Sequence, residues 1–172
     1  MISLEQKREL RKKTTAEVFT PSFLAQQMLD KIPQDFWDDE NKTLLEPSCG
    51  DGIFVVLSIK KRLQNNQQLS KSLRNTYAID IMEDNIEECR KNVYQEIIKP
   101  FFKEKFKSGI YTKEECFKKM YQFVAFMLHN IRVTKNTLEE NFDEWKTFEE
   151  ETKETIQEFL QKAKAFVKNI EK

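Results

Sequence analysis

Two glycines separated by one residue, Gly50 and Gly52, are the first candidates for chemistry in this chain, which has only three glycines. They follow a short apolar run, residues 43–46, that predicts a buried strand. Glycine permits a tight turn and leaves no Cβ between the backbone and a ligand. A strand that passes through such a turn into a helix brings backbone N–H groups close to a ligand. The pattern therefore predicts a ligand-binding turn after the first strand.

A carboxylate ends the second predicted strand, Thr76–Asp80. Ligands of parallel α/β sheets bind at the carboxyl ends of the strands, where an acid can accept hydrogen bonds from both ribose hydroxyls. Asp80 together with the glycine turn predicts an adenosine-type cofactor. A dinucleotide is disfavoured, because Phe54 and Val55 stand where its glycine fingerprint continues. The alternative is a tight turn that binds no ligand.

Helical segments alternate with these strands. Apolar spacing, caps and prolines predict helices at 3–13, 21–31, 53–63, 83–99, 112–128 and 147–172, and a weak third strand at 131–134. Segment 65–75 predicts a loop or a short helix, and Pro100 is expected to end or kink the helix before it. Thr112 and Glu115 form a capping-box pattern. Strands alternating with helices predict an α/β fold with a parallel sheet.

The overall charge limits the kinds of partner. The 172 residues, enough for one compact domain, include 29 lysines and arginines and 29 aspartates and glutamates. This balance argues against a protein that coats nucleic acid non-specifically, although it allows a local basic patch. The predicted first helix ends in Arg11, Lys12 and Lys13. These cations either complement the helix dipole or form a nucleic-acid-binding arm.

The cysteines and the apolar runs indicate the cellular compartment in which the protein is expected. Cys49, Cys89 and Cys116 lack metal-binding spacing, and with the single His129 they do not make a zinc site. We interpret them as reduced thiols of a cytoplasmic protein. The N-terminal residues have no apolar signal region, and no apolar run reaches the length of a membrane span, so we expect no membrane partner.

Three motifs in order resemble a known family. EPSCGDGIF (46–54) resembles the first motif of the S-adenosylmethionine-dependent, adenine-specific DNA methyltransferases. EVFTP (17–21) is similar to the cofactor motif that precedes the first strand, and YAIDIMEDNIEECR (77–90) to the second-strand motif. The resemblance implies a Rossmann-like class I methyltransferase fold with a truncated sheet and extra helices. Residues 1–146 would form the cofactor-binding domain, and 147–172 an amphipathic helix of that domain or a partner interface.

The family motifs assign cofactor-binding roles by position. The resemblance implies that Phe19, Thr20 and Pro21 contact the methionine part of S-adenosylmethionine, that Asp80 holds its ribose and that Ile81 packs beside its adenine. The residues that would wrap the cofactor are Glu46, Pro47, Ser48, Gly50 and Gly52. As an alternative to a cofactor contact, Phe19 packs as a hydrophobic staple at the start of the helix that begins at Pro21. Cys49 is read as a small packing residue rather than a nucleophile.

The family's catalytic motif, Asp/Asn/Ser-Pro-Pro-Tyr/Phe, is missing, because no two of the four prolines are adjacent. Asn136 and Asn141 are the only positional candidates for the acceptor that polarises the target amine, and catalytic residues stay unassigned. Three functions remain open. They are a cofactor-binding protein that methylates adenine in DNA with a partner, a non-catalytic methyltransferase-like subunit or regulator, and a nucleic-acid-binding accessory protein.

A truncated sheet would leave one edge of its first strand without a neighbouring strand. In the family the first strand lies centrally beside the fourth, and nothing after residue 147 resembles that fourth strand. An open apolar edge invites aggregation. We therefore expect the C-terminal helix, another protein chain or a second copy of this chain to cover the first strand.

Overall fold

The computed structural model describes residues 4–14, 18–135, 141 and 145–172. This part of the chain is mixed α/β, mostly helical, with a small parallel sheet. The strands are β1 Leu44–Glu46, β2 Thr76–Asp80 and β3 Ile131–Val133. The helices are α1 Leu4–Thr14, α2 Ser22–Leu29, α3 Gln34–Asp38, α4 Ile53–Gln64, α5 Leu69–Arg74, α6 Glu83–Val93, α7 Lys99–Lys107, α8 Lys113–Asn130 and α9 Lys153–Ile170.

The sheet has the order β1-β2-β3 and confirms the predicted parallel α/β arrangement. Leu45 pairs with Tyr77, and Ala78 pairs with Ile131. Because all strands run in the same direction, their carboxyl ends lie at one edge of the sheet. This edge places Glu46 and the glycine turn beside Asp80.

The helices cover the sheet through one apolar core. Ala78 and Ile131 belong to the same buried cluster as Val56 of α4, Ile86 of α6 and Val124 of α8. Each of these side chains is at most 2% exposed. The apolar periodicity that predicted α4, α6 and α8 therefore identifies the helix faces that pack against the sheet at β2.

Pro100 does not end the helical path. A π-helical turn, Tyr94–Ile98, follows α6, and helix resumes in α7 with Pro100 in its first turn. Proline has no N–H to donate, and a π turn accommodates the change of register that this causes. The sequence left ending and kinking open, and the structure contradicts the first.

Two short helices add to the predicted elements. The sequence did not predict α3, whose Trp37 is fully buried. Its backbone carbonyl accepts a hydrogen bond from Nε2 of Gln67, which anchors α3 to the segment after α4. The other, α5, is the short-helix alternative for residues 65–75.

A capping box begins α8 as the sequence predicted. The Thr112 hydroxyl accepts from the Glu115 N–H at 3.2 Å, and the Glu115 carboxylate accepts from the Thr112 N–H at 2.8 Å. These bonds hold the pKa of Glu115 below its ordinary value. Two backbone donors that a helix start would leave unpaired are therefore satisfied.

Replacing Thr112 with alanine is expected to lower the free energy of unfolding by about 1 kcal/mol, because one N-cap acceptor is lost. Urea denaturation followed by circular dichroism measures this. Replacing Gln122, an exposed residue in the middle of α8, with alanine is the control and is expected to cost less. Equal losses for the two variants would contradict the capping role.

The C-terminal helix packs against α8 rather than along β1. Ala163 and Val167 of α9 are buried in the common core. At the start of this segment, His129 Nε2 lies 3.0 Å from the Glu151 carboxylate. The expectation that α9 covers the first strand is therefore wrong, because its apolar stripe is already satisfied by α8. Among the described residues, β1 pairs only with β2.

No helix in the described ranges combines the length and the apolar character that crossing a membrane requires.

Candidate functional site

A cleft of about 390 Å³ opens at the carboxyl ends of β1 and β2. Three backbone segments line it: residues 18–20 before α2, residues of the 48–54 turn, and residues 80–82 after β2. Parallel α/β sheets bind ligands at this position. The sequence motifs thus meet in one concave site.

Asp80 ties the two sides of the cleft together. Its Oδ2 accepts from the Gly50 N–H at 2.9 Å, and its Oδ1 accepts from the Met82 N–H at 2.8 Å. The residue is 5% exposed and lines the cleft. A carboxylate has about four acceptor positions on its two oxygens. Asp80 therefore retains capacity for further donors after it has fixed the turn.

The backbone N–H groups of the turn point toward the protein. The Cys49 N–H donates to the Ile79 carbonyl at 2.9 Å, Gly50 donates to Asp80, and Gly52 donates to the Cys49 carbonyl at 2.8 Å. The expectation that this glycine turn offers its N–H groups to a ligand is wrong at these three positions. At Gly50 the cause is the Asp80 carboxylate at the end of β2, which accepts the hydrogen bond from the Gly50 N–H.

The two glycines serve different purposes. Gly50 has φ +53°, and a Cβ there would lie 3.2 Å from the Phe19 ring, so this glycine lets the ring close over the turn. Gly52 has φ +86°, and its Cβ would lie 2.5 Å from the Cys89 Sγ and 3.0 Å from the Cys89 Cα. Gly52 therefore permits α4 to start against α6, and it is not part of the cleft lining.

Cys49 is a packing residue, as expected. It is 4% exposed, and the neighbouring Cys89 thiol together with burial raises the pKa of Cys49 above its ordinary value. A thiol held in its protonated form is a poor nucleophile. Cys49 therefore shapes the turn as a small buried residue.

The cleft is acidic. Its lining contains the carboxylates of Asp51 and Asp80, and no lysine, arginine or histidine of the described chain is part of it. Glu46 stands beside it at the end of β1, where burial raises the pKa of its carboxyl group. Such a site repels phosphate groups and suits ligands that carry hydroxyl donors or positive charge.

The predicted site residues divide into two sets. Those that line the cleft are Phe19, Thr20, Ser48, Gly50, Asp80 and Ile81. Those that the structure places outside the lining are Pro21, Glu46, Pro47 and Gly52. Pro21 instead supplies the carbonyl that accepts from the Leu24 and Ala25 N–H groups at the start of α2.

The sequence reasoning missed several lining residues. Val18, Ile53 and Met82 are apolar, and Asp51 adds a carboxylate. Val18 is 71% exposed and Ile81 is 58% exposed, so apolar surface is open to solvent here. Asp51 could have been found from its position between the two glycines.

The basic end of α1 lies close to this site. Arg11 forms an ion pair with Asp84 at 2.5 Å and donates to Asn85 Oδ1 at 3.3 Å, in the first turn of α6. One of the three cations of the proposed nucleic-acid arm is therefore engaged within the protein. The arm itself stays a prediction, and Ser3, the first residue of the predicted helix 3–13, lies outside the described residues.

The structure describes only one of the two positional candidates for an amine acceptor. Asn136 lies outside the described residues, and Asn141 is exposed and is not among the lining residues. No catalytic group for methyl transfer is therefore assigned.

Comparison with known proteins found no matching family model, no similar curated protein and no similar solved structure.

Proposed function

We propose that this chain binds S-adenosylmethionine in the cleft between the glycine turn and Asp80. The observation that carries the proposal is an acidic, phosphate-repelling site at the carboxyl ends of two parallel strands. S-adenosylmethionine has no phosphate, carries a sulfonium and an ammonium group, and presents two ribose hydroxyls. Each of these properties suits a site lined by Asp51 and Asp80.

The free acceptor positions of Asp80 take the ribose hydroxyls in this proposal. Both of its oxygens are already oriented by backbone N–H groups at 2.8 and 2.9 Å, so the carboxylate does not need to reorganise when the ligand binds. The adenine covers the exposed side chain of Ile81, and the methionine part extends toward Phe19 and Thr20. Burial of exposed apolar surface adds to the affinity.

The fold proposed for this function is a Rossmann-like class I methyltransferase fold with a truncated sheet. The support is the parallel order β1-β2-β3 with a carboxylate after β2. A chain that covers the free edge of β1 would complete the sheet, and we propose a protein partner or a second copy in that role.

Adenine methylation in DNA is the reaction we connect with this cofactor. Transfer requires the target amine in line with the sulfonium methyl group and an acceptor that polarises the amine. Because Asn141 lies outside the cleft lining, we propose that a partner chain supplies the acceptor. The alternative is a non-catalytic, cofactor-binding subunit or regulator.

Calorimetric titration with S-adenosylmethionine tests the proposal. We expect one site per chain with Kd in the range of about 1 µM to 1 mM, typical of enzyme ligands. The 2′,3′-dideoxyribose analogue should bind at least about tenfold more weakly, since Asp80 would lose both donors. ATP should not bind, because its phosphates meet carboxylates. Equal binding of ATP, or no binding of S-adenosylmethionine, would refute the proposal.

A methyl-incorporation assay on adenine-containing DNA separates catalysis from binding alone. Incorporation by the chain together with a partner that covers β1 would support the transferase. Cofactor binding without incorporation under any combination of partners would favour the non-catalytic subunit.

A further inference from the structure

One part of the fold carries an excess of positive charge that is not used in ion pairs between described residues. Residues 99–121, called here the lysine-rich hairpin, comprise α7, the following turn and the first half of α8. They contain seven lysines and three glutamates, an excess of four positive charges in a chain whose total charge is zero. The rest of the chain therefore carries a matching negative excess, and the hairpin is a distinct electrostatic surface.

Most of these lysines are available for a partner. Lys103, Lys107, Lys113 and Lys118 are exposed and form no ion pair with any residue that the structure describes. Lys99 differs, because its Nζ lies 2.9 Å from the Glu171 carboxylate. An exposed cation outside an ion pair remains available to attract an approaching polyanion.

Large apolar side chains stand between the lysines. Phe106 is 52% exposed, Ile110 57% and Phe117 44%. Phe106 lies in the last turn of α7, Ile110 lies in the connecting turn and Phe117 is the fifth residue of α8, so all three are near the tip of the hairpin. Exposed apolar residues gathered in one place mark an interaction site more often than scattered ones do.

Aromatic rings and cations are interleaved within the hairpin. Lys105 Nζ lies 5.3 Å from the centre of the Phe101 ring, and Lys119 Nζ lies 5.2 Å from that of Tyr111. The Phe117 ring stacks on Tyr121 with 6.3 Å between centroids. Rings set among cations form the combination that binds unpaired bases and their phosphates together.

We propose that the lysine-rich hairpin binds single-stranded nucleic acid. Its lysines contact the phosphates, and Phe106 and Phe117 stack on bases. A duplex would leave these rings unused, because its bases are already stacked. A lipid surface would favour a continuous apolar face, whereas here Lys105 and Lys107 flank Phe106 and Lys118 follows Phe117. This site is separate from the cofactor cleft and does not depend on it.

Fluorescence anisotropy with a labelled oligothymidylate tests the charges. The unmodified protein should bind it, and the double variant Lys107→Gln/Lys118→Gln should reduce the slope of log K against log salt by about 1.4, the value for two lost phosphate contacts. The matched control, Lys164→Gln/Lys168→Gln, removes two exposed lysines from α9 and should leave the slope unchanged. Equal reductions in both variants would overturn the proposal.

A second double variant tests the proposed stacking of Phe106 and Phe117 on bases. Phe106→Ala/Phe117→Ala should weaken binding about tenfold or more without changing the salt slope, because stacking and not charge is lost. Phe23→Ala removes a 69%-exposed ring from α2 and should have no effect. Unchanged binding in the double variant would contradict the stacking role.

Duplex DNA and lipid vesicles test whether the hairpin binds a class of partner other than single-stranded nucleic acid. Duplex DNA should compete poorly with the oligothymidylate, and vesicles of phosphatidylserine and phosphatidylcholine should not bind. Retention on the vesicles without binding of the oligothymidylate would overturn the proposal. Asp80→Ala protein that is still folded should keep its affinity for the oligothymidylate, so failure of the cofactor proposal is recognised separately.

Discussion

Replacing Asp80 with alanine is expected to abolish measurable binding of S-adenosylmethionine and to lower the free energy of unfolding by about 3 kcal/mol. The carboxylate accepts two backbone N–H bonds, from Gly50 and Met82, and hydrogen bonds to a charged group contribute about 1.5–3 kcal/mol each. The same substitution removes the acceptors for both ribose hydroxyls. Calorimetry and urea denaturation measure the two effects.

Two further variants separate the ligand effect from the folding effect. Asp80→Asn keeps the shape and one acceptor oxygen, so the protein should remain folded while affinity falls at least about tenfold. Asp38→Ala removes an exposed carboxylate on α3 and should change neither quantity. Full affinity in folded Asp80→Asn protein would show that the ribose is not bound there.

Replacing Gly52 with alanine is expected to lower the free energy of unfolding by about 2–5 kcal/mol. The left-handed conformation at φ +86° costs an L-residue about 1–2 kcal/mol, and overpacking costs about 1–3 kcal/mol more. The new methyl group would lie 2.5 Å from the Cys89 Sγ and 3.0 Å from its Cα, so α6 would have to move. Urea denaturation gives the value.

Gly109 provides the matched control for this substitution. It has φ +71°, but a Cβ there has nothing within 4 Å. Gly109→Ala should therefore cost only the conformational part, about 1–2 kcal/mol. In addition, Cys89→Ala should recover part of the loss in the Gly52→Ala background, since it removes the Sγ clash and leaves the backbone contact. Equal costs at the two glycines would contradict the close approach of α6 to the turn.

The local sequence predicted the features that depend on few residues. The capping box of Thr112 and Glu115, strand β2 and the position of Asp80 at its end all follow from short patterns, and the structure contains each of them. Alternation of apolar runs with helical periodicity was enough to predict a parallel sheet. These features are local, so competing tertiary contacts did not override them.

Features that depend on distant contacts were beyond the local pattern. The direction of the Gly50 N–H is decided by a carboxylate 30 positions along the chain. Gly52 matches a ligand-binding motif, yet its nearest constraint is Cys89 on another helix. The partner of α9 likewise depended on which apolar surface α8 left open. A motif gives the residue type at such positions, whereas packing decides what the residue touches.

The most direct test of the central claim follows the amide resonances of Gly50 and Met82, the two donors to Asp80, in proton–nitrogen correlation spectra during addition of S-adenosylmethionine. The proposal predicts saturable shifts at both amides and at Ile81, and no such shifts with ATP. If the ligand leaves these three amides unmoved, or moves only resonances remote from the glycine turn, then the cleft at Asp80 does not hold an adenosyl group.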